Sequence, residues 1–193
     1  NTPGEKRLYP RAFYLLSIDA RAFLDALAGL FLPRQQAAST EQIDTEAIAR
    51  ALFEITVDPD TSSKNWRFSI ETQGAVMFFL ARMFSRKHCN LSPTIVDRVV
   101  VYLCSPHAQR MHEEVAELLL PLAQRAIELK YCDPARLMLL ADAGGLHAAS
   151  EWVAVSCRQF GKAVRSRARD PKRNRSVFDL VLEYMDSASL SEV

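Results

Sequence analysis

The sequence predicts an all-α protein, an α-solenoid of antiparallel helix hairpins. Apolar residues recur at helical spacing along most of the 193 residues, only 6 glycines occur, and β-branched residues rarely alternate with polar ones. The helices pair as hairpins of roughly 30–40 residues, and such pairs bury their apolar faces by stacking on their neighbours. A compact helical bundle has the same periodicity and stays open as an alternative.

Capping residues predict where the first helices begin. Asp19 is a good N-cap, because an apolar face with helical spacing follows it and Pro33 closes the segment. Thr40 or Asp44 caps the second helix, and a third begins near Ser69. These signals place three helices in the N-terminal part of the chain.

A capping side chain followed by proline predicts two later helix starts, at Ser92-Pro93 and at Asp133-Pro134. The first of these helices stops before Ser105, and another helix follows from about residue 109. Together these signals predict a continuous series of helices through the middle of the chain.

Proline and glycine predict the remaining breaks. Pro121 should kink or divide the helix in which it lies. Gly144-Gly145 ends one helix and Gly161 ends the next, while residues 176–186 form a last amphipathic helix. A short helix between them is predicted over AVRSRA, followed by a turn at Asp170.

The core prediction concerns apolar side chains on the inward helix faces. We expect Trp152 to pack between helices. We expect the following side chains to be buried: Phe79, Leu80, Val99, Leu103, Leu139 and Leu140.

Composition limits the classes of partner and compartment. The formal net charge is only +1, so an electrostatic partner must be met locally. The 4 cysteines are too evenly spread for a tight disulfide framework, which favours reduced thiols in the cytosol. The first residues lack an apolar signal region and an initiator methionine. We therefore expect residues 1–193 to be a single helical-repeat segment, a fragment of a larger protein.

Zinc is the most specific enzyme-like possibility. Cys104 and His107 have a ligand-like spacing, but no second close pair of the usual kind completes a site. The candidate ligands are His88, Cys89, Cys104, His107 and His112. Because nucleophile, metalloprotease and phosphate-loop motifs are also missing from the sequence, we expect no catalytic residue, no metal site and no cofactor.

The strongest local charge lies in residues 161–175, which we call the basic run. It carries seven cationic side chains against one acidic residue, Asp170. The candidate contacts for an anionic partner are Lys162, Arg165, Arg167, Arg169, Lys172, Arg173 and Arg175. The run contains no aromatic residue for base stacking, which argues against nucleic acid. A solvated loop, an acidic protein, an anionic membrane and a nucleic-acid-binding or adaptor module all stay open.

Several segments match a known family in order and spacing over roughly residues 14–187. They are SIDARAFLDALAGLF, VMFFLARMFSR, PTIVDRVVVYLCSP, EEVAELLLPL, DPARLMLLADAGGLHAASEWVAVSCRQFGKAV and SVFDLVLEYM. This pattern resembles the clathrin-heavy-chain-like helical repeat region of the vacuolar protein sorting-associated protein 8 family. The segments at 32–45, 56–72 and 105–133 depart from the family pattern, and the family loop near 165–175 is less basic.

The resemblance implies a noncatalytic scaffold in vesicle-mediated vacuolar and endosomal protein transport. It implies a cytoplasmic protein, peripheral on endosomal membranes, assembled with the other class C vacuolar sorting subunits of the CORVET tethering complex. It also implies contact with an early-endosomal Rab GTPase through the parent protein.

Overall fold

In the computed structural model, residues 10–31, 44–56, 68–112, 114–171, 177, 179, 181 and 182 are described. All regular secondary structure in these ranges is helical, which confirms the predicted all-α class. The helices are α1 (Pro10–Phe31), α2 (Thr45–Thr56), α3 (Ile70–Ser85), α4 (Pro93–Leu103), α5 (Pro106–Met111), α6 (Val115–Glu128), α7 (Pro134–Ala143), α8 (His147–Ser156) and α9 (Phe160–Arg169). The solenoid arrangement stays a prediction. None of the helices within the described ranges has the length and apolar character that crossing a membrane requires.

The chain divides into two compact units. The first spans Asn1–Val99, and in it α1 packs against α2 and α3, which also contact each other. Phe31 of α1 meets Phe79 of α3 edge to face, with ring centroids 5.4 Å apart. Leu80 and Phe84 of α3 are fully buried. Burial of each such side chain stabilises the fold by roughly 1.5–3 kcal/mol.

The second unit spans Val100–Val193, and α8 is its central helix. It packs against α6, α7 and α9, while α5 contacts α6. Fully buried leucines of α6 and α7 form the core with Val153 of α8, and these leucines are Leu119, Leu122 and Leu137. The basic run begins in this unit, on α9.

Local capping contacts confirm several predicted helix starts. The backbone of α1 is not helical at Asp19, whose Oδ1 accepts a hydrogen bond from the N–H of Ala22 at 3.0 Å. Asp44 caps α2 in the same way, and Ser69 caps α3. Thr40 and Pro33 lie outside the described residues. The helical segment that precedes Asp19 and begins at Pro10 was not predicted.

The cap-plus-proline predictions also hold. The α4 helix begins at Pro93, directly after Ser92, and Asp133 accepts two backbone hydrogen bonds at the start of α7. The described residues Val177, Asp179, Val181 and Leu182 are helical, in agreement with the last predicted helix. The rest of residues 176–186 lies outside the described residues.

Two predicted boundaries and one predicted division are wrong. Ser105 caps a separate short helix, α5, so the next helix begins at Pro106 and not near residue 109. Pro121 does not divide its helix, because it lies inside α6, which continues past it, and the alternative of a kink stays a prediction. Gly161 does not end α8, because α8 stops at Ser156 and Gly161 belongs to the first turn of α9.

Four helices are followed by a residue whose backbone is in the left-handed helical conformation. In each case the next N–H bonds back to the carbonyl five residues earlier, as from Tyr131 to Ala126 at 2.8 Å. The left-handed positions are Lys87, Lys130, Gly145 and Arg158, with φ between 56° and 72°. Only one of them is glycine, so the other three carry the steric cost of a side chain in this conformation.

Burial follows the prediction at four of the six named core positions: Phe79, Leu80, Val99 and Leu103. Leu140 and Trp152 are half-buried. Leu139 contradicts the prediction, because 69% of it is exposed. Its neighbours Leu137, Met138 and Ala141 fill the inward face of α7 instead.

Candidate functional site

The described part of the basic run forms α9, which is helical from Phe160 to Arg169. Arg167 and Arg169 lie in its last turn, where cations interact favourably with the helix dipole. The helix ends at Asp170, whose backbone is extended as expected before a proline. The predicted short helix over AVRSRA and the turn after it are therefore confirmed.

Serine hydroxyls tie α9 to the two preceding helices. Ser166 is buried and donates a hydrogen bond to Oδ1 of Asp142 on α7, at 3.1 Å. Its oxygen lies 3.0 Å from the hydroxyl oxygen of Ser150 on α8. Because the proton of Ser166 is committed to Asp142, Ser150 is the donor in that pair. One side chain thus fixes α9 against both α7 and α8.

Arg167 forms an ion pair inside the second unit. Its Nε donates to Oε2 of Glu151 on α8 at 3.1 Å, and its Nη2 donates to the other carboxylate oxygen. The Arg167 side chain is 13% exposed and that of Glu151 is 7% exposed. Such a bidentate, largely buried contact positions α9 and leaves little of this guanidinium for an outside partner.

Arg169 is engaged more loosely. Its Nη1 lies 3.4 Å from Oδ2 of Asp142, and 61% of its side chain is exposed. The Asp142 carboxylate therefore receives Ser166 at one oxygen and Arg169 at the other. Arg169 can still contact a partner, with part of its charge compensated.

On α9, Lys162 and Arg165 are the cations that no acidic side chain of the described residues engages. Both are exposed, and neither forms an ion pair with any residue in the described part of the chain. Arg165 donates its Nε to the carbonyl of Gly161 at 3.2 Å, a local bond that leaves the other guanidinium N–H groups free for a partner. The two residues are three positions apart and so lie on one side of the helix.

A groove runs between α7 and α9 beside these cations, and we call it the α7–α9 groove. It encloses about 210 Å³. Its lining residues are Met138, Leu139, Asp142, Lys162, Arg165 and Arg169. The exposed Leu139 is thus not an isolated surface leucine but part of a concave surface with a cationic rim.

Of the seven cations predicted as a contact surface, four lie on α9: Lys162, Arg165, Arg167 and Arg169. The structure brings Lys162, Arg165 and Arg169 together and assigns Arg167 to Glu151. Lys172, Arg173 and Arg175 lie outside the described residues. Binding of an anionic partner stays a prediction for the whole set.

The zinc candidates do not form a ligand cluster in the described part of the chain, where no three His, Cys, Asp or Glu side chains are grouped for a metal ion. Cys104 is buried at the end of α4, and burial raises the pKa of its thiol to about 12. The thiolate is the form that binds metals and attacks substrates. Cys104 is therefore held as an inert thiol at neutral pH.

Two curated proteins are similar to this chain along most of its length. The chain is 27% identical over 182 residues to the human (Homo sapiens) vacuolar protein sorting-associated protein 8 homolog. It is 26% identical over 183 residues to the mouse (Mus musculus) protein of the same name. Each alignment covers 92% of the chain. The relationship to the vacuolar protein sorting-associated protein 8 family is confirmed.

The chain spans only 12% of the length of these two curated relatives of the vacuolar protein sorting-associated protein 8 family. No protein-family model matches the chain, and no solved structure matches it either. The binding partners of the complete relatives can therefore only be proposed for this chain.

The sequence reasoning missed two features of this site. The buried Glu151 was not singled out, although an acidic residue in the apolar stretch EWVAV is a sign of a buried partner. Leu139 was predicted in the core, and its place in the lining of the groove had no sequence signal, because the whole segment LMLLA is apolar.

Proposed function

We propose that this chain is a noncatalytic helical scaffold segment of an endosomal tethering subunit acting in vacuolar protein sorting. The observation that carries the proposal is the match to two curated vacuolar protein sorting-associated protein 8 homologs along 92% of the chain. A match that covers both compact units favours a shared structural role for the whole segment over a shared local motif.

The packing of the described helices supports a scaffold. Each unit holds its helices together through an apolar core, and the α7–α9 groove and the exposed cations of α9 lie on the outside of the second unit. The buried Glu151 binds Arg167, whose side chain is only 13% exposed. A segment of this kind holds binding modules at a distance and offers helix faces to other subunits.

The partners in this proposal are the class C vacuolar sorting subunits of the CORVET complex, with an early-endosomal Rab GTPase contacted through the complete protein. The protein would work in the cytoplasm, peripheral on endosomal membranes. Lys162, Arg165 and Arg169, with Lys172, Arg173 and Arg175, supply the contact to an acidic subunit or to an anionic membrane surface.

The test is affinity purification of the endogenous, tagged protein from the cells that make it. We expect the class C vacuolar sorting subunits to copurify. Replacing residues 10–182 with a flexible linker of equal length should then impair sorting to the vacuole or lysosome. Normal sorting with the linker, or purification without those subunits, would contradict the proposal.

A further inference from the structure

The α7–α9 groove combines apolar lining residues with a cationic rim. Leu139 is 69% exposed beside the buried Met138, and Lys162 and Arg165 lie along the same groove. An exposed leucine alone needs no explanation. A leucine in a concave surface of about 210 Å³ flanked by free cations is a different case, because apolar and electrostatic contacts are offered together.

The one acidic residue of the groove does not cancel this positive character. Asp142 is already bound by the Ser166 hydroxyl at 3.1 Å and by Arg169 at 3.4 Å. No acidic side chain in the described residues pairs with Lys162 or Arg165. The rim therefore presents uncompensated positive charge next to Leu139.

We propose that the α7–α9 groove binds an acidic segment of a partner protein. An apolar side chain of that segment packs on Leu139, and its carboxylates bind Lys162 and Arg165. This inference rests on the proposed function for the identity of the partner, since a tethering scaffold is assembled from several chains. It adds which residues of this chain make one contact and which side chains the partner must supply.

The shape of the groove favours a protein segment over a lipid surface. A volume of about 210 Å³ suits one or two side chains of a peptide, which places an acidic and an apolar group side by side. A bilayer could meet Lys162 and Arg165 with phosphate and Leu139 with acyl chains, but its broad surface fits a concave site less closely than a single peptide side chain does. Binding to a protein segment therefore depends on Leu139 as well as on charge.

The test is selection from a display library of random peptides on the full 193-residue chain. Peptides that also bind a Lys162→Glu/Arg165→Glu variant are removed in a counter-selection. We expect the enriched peptides to contain acidic residues beside an apolar residue. The dissociation constants of these peptides are then measured by fluorescence anisotropy at low and high salt. In parallel, binding of the protein to vesicles of phosphatidylserine and phosphatidylcholine is measured by cosedimentation.

Matched variants separate the groove from general charge and surface effects. The control for the double charge reversal is Arg98→Glu/Arg110→Glu, since both arginines are exposed and Arg110 donates to the Pro106 carbonyl at 3.2 Å, as Arg165 does to Gly161. The control for Leu139→Ala is Ile18→Ala, because Ile18 is 64% exposed on α1. Circular dichroism verifies that every variant is folded.

The charge reversal in the groove should weaken the selected peptides by about tenfold or more, and added salt should weaken the wild-type complex. Leu139→Ala should weaken them by roughly fivefold, since part of a buried leucine is lost. The two controls should stay within about twofold of wild type.

Three results would overturn the inference. They are enrichment of peptides without acidic residues, equal losses in the groove and control variants, and vesicle binding that Lys162→Glu/Arg165→Glu abolishes while no peptide binds. The last result would assign the surface to a membrane. If the class C subunits copurify while the peptide selection fails, only the groove is refuted. If peptides bind and those subunits do not copurify, the tethering proposal is refuted and the groove stands.

Discussion

Removing the charge of Arg167 should destabilise the second unit far more than removing that of Arg165. Arg167 donates to both carboxylate oxygens of Glu151, and the two side chains are 13% and 7% exposed. In Arg167→Met the Glu151 charge stays buried without this partner, which typically costs about 3–5 kcal/mol. Arg165→Met loses one exposed bond to a local carbonyl and should change stability by less than about 0.5 kcal/mol.

The expected loss is a large part of the whole stability, since native domains are stable by only about 5–15 kcal/mol. For a chain of this length it corresponds to a fall in melting temperature of roughly 6–20 °C. Urea unfolding followed by far-ultraviolet circular dichroism measures the free energy. In a Trp66→Phe background, the only remaining indole is Trp152 on α8, so its fluorescence reports on the helix that holds Glu151.

A third variant identifies the cause. Arg167→Met combined with Glu151→Leu removes the buried carboxylate together with the guanidinium that binds it, and its stability should recover to within about 1–2 kcal/mol of the wild type. If Arg167→Met and Arg165→Met unfold at the same urea concentration, the ion pair contributes nothing measurable and the assignment of Arg167 to an internal role is wrong. If the double variant is as unstable as Arg167→Met, lost packing around Arg167 and not the lost ion pair with Glu151 is the cause.

Three other outcomes follow from the described backbone and burial. Lys130 has a φ of 58°, so Lys130→Gly should stabilise the chain by about 0.5–1 kcal/mol in urea unfolding, while Lys130→Val should destabilise it. A Cβ on Gly144 would lie 2.5 Å from the carbonyl oxygen of Cys104, so Gly144→Ala should cost about 1–3 kcal/mol. Gly29→Ala, with open space around its new methyl group, should stabilise α1 slightly. Burial raises the pKa of Cys104 from 9.0 to about 12, so the native state retains this proton longer than the unfolded state. Stability should therefore fall as the pH rises between those values, and Cys104→Ala should make that fall shallower in pH-dependent unfolding.

The helix starts were predictable because their signals are local. An aspartate or serine three residues before the backbone N–H that it caps carries the information in one short segment, as at Asp19, Asp44 and Ser69. Ser105-Pro106 has the same pair of residues, and there the serine side chain caps α5 directly after the predicted helix end. The start of α5 is therefore encoded by a local signal as well.

The contacts that hold α9 were not predictable in the same way. Glu151 pairs with Arg167 and Ser150 with Ser166, and each pair is separated by 16 residues. Only the angle and register between α8 and α9 bring them together, and a three-residue turn whose Arg158 has a φ of 56° sets that geometry. The helix end at Ser156 was misplaced for the same reason, since no glycine marks it.

The number of cations in a segment overstates the positive charge that is available to a partner. On α9, Arg167 is consumed by Glu151 and Arg169 shares Asp142, which leaves Lys162 and Arg165 beside the exposed Leu139. Two cations three positions apart lie on one side of the helix, so a partner segment that binds both must place its carboxylates close together. The spacing and the apolar neighbour, more than the total charge, therefore determine which acidic segments this surface can distinguish.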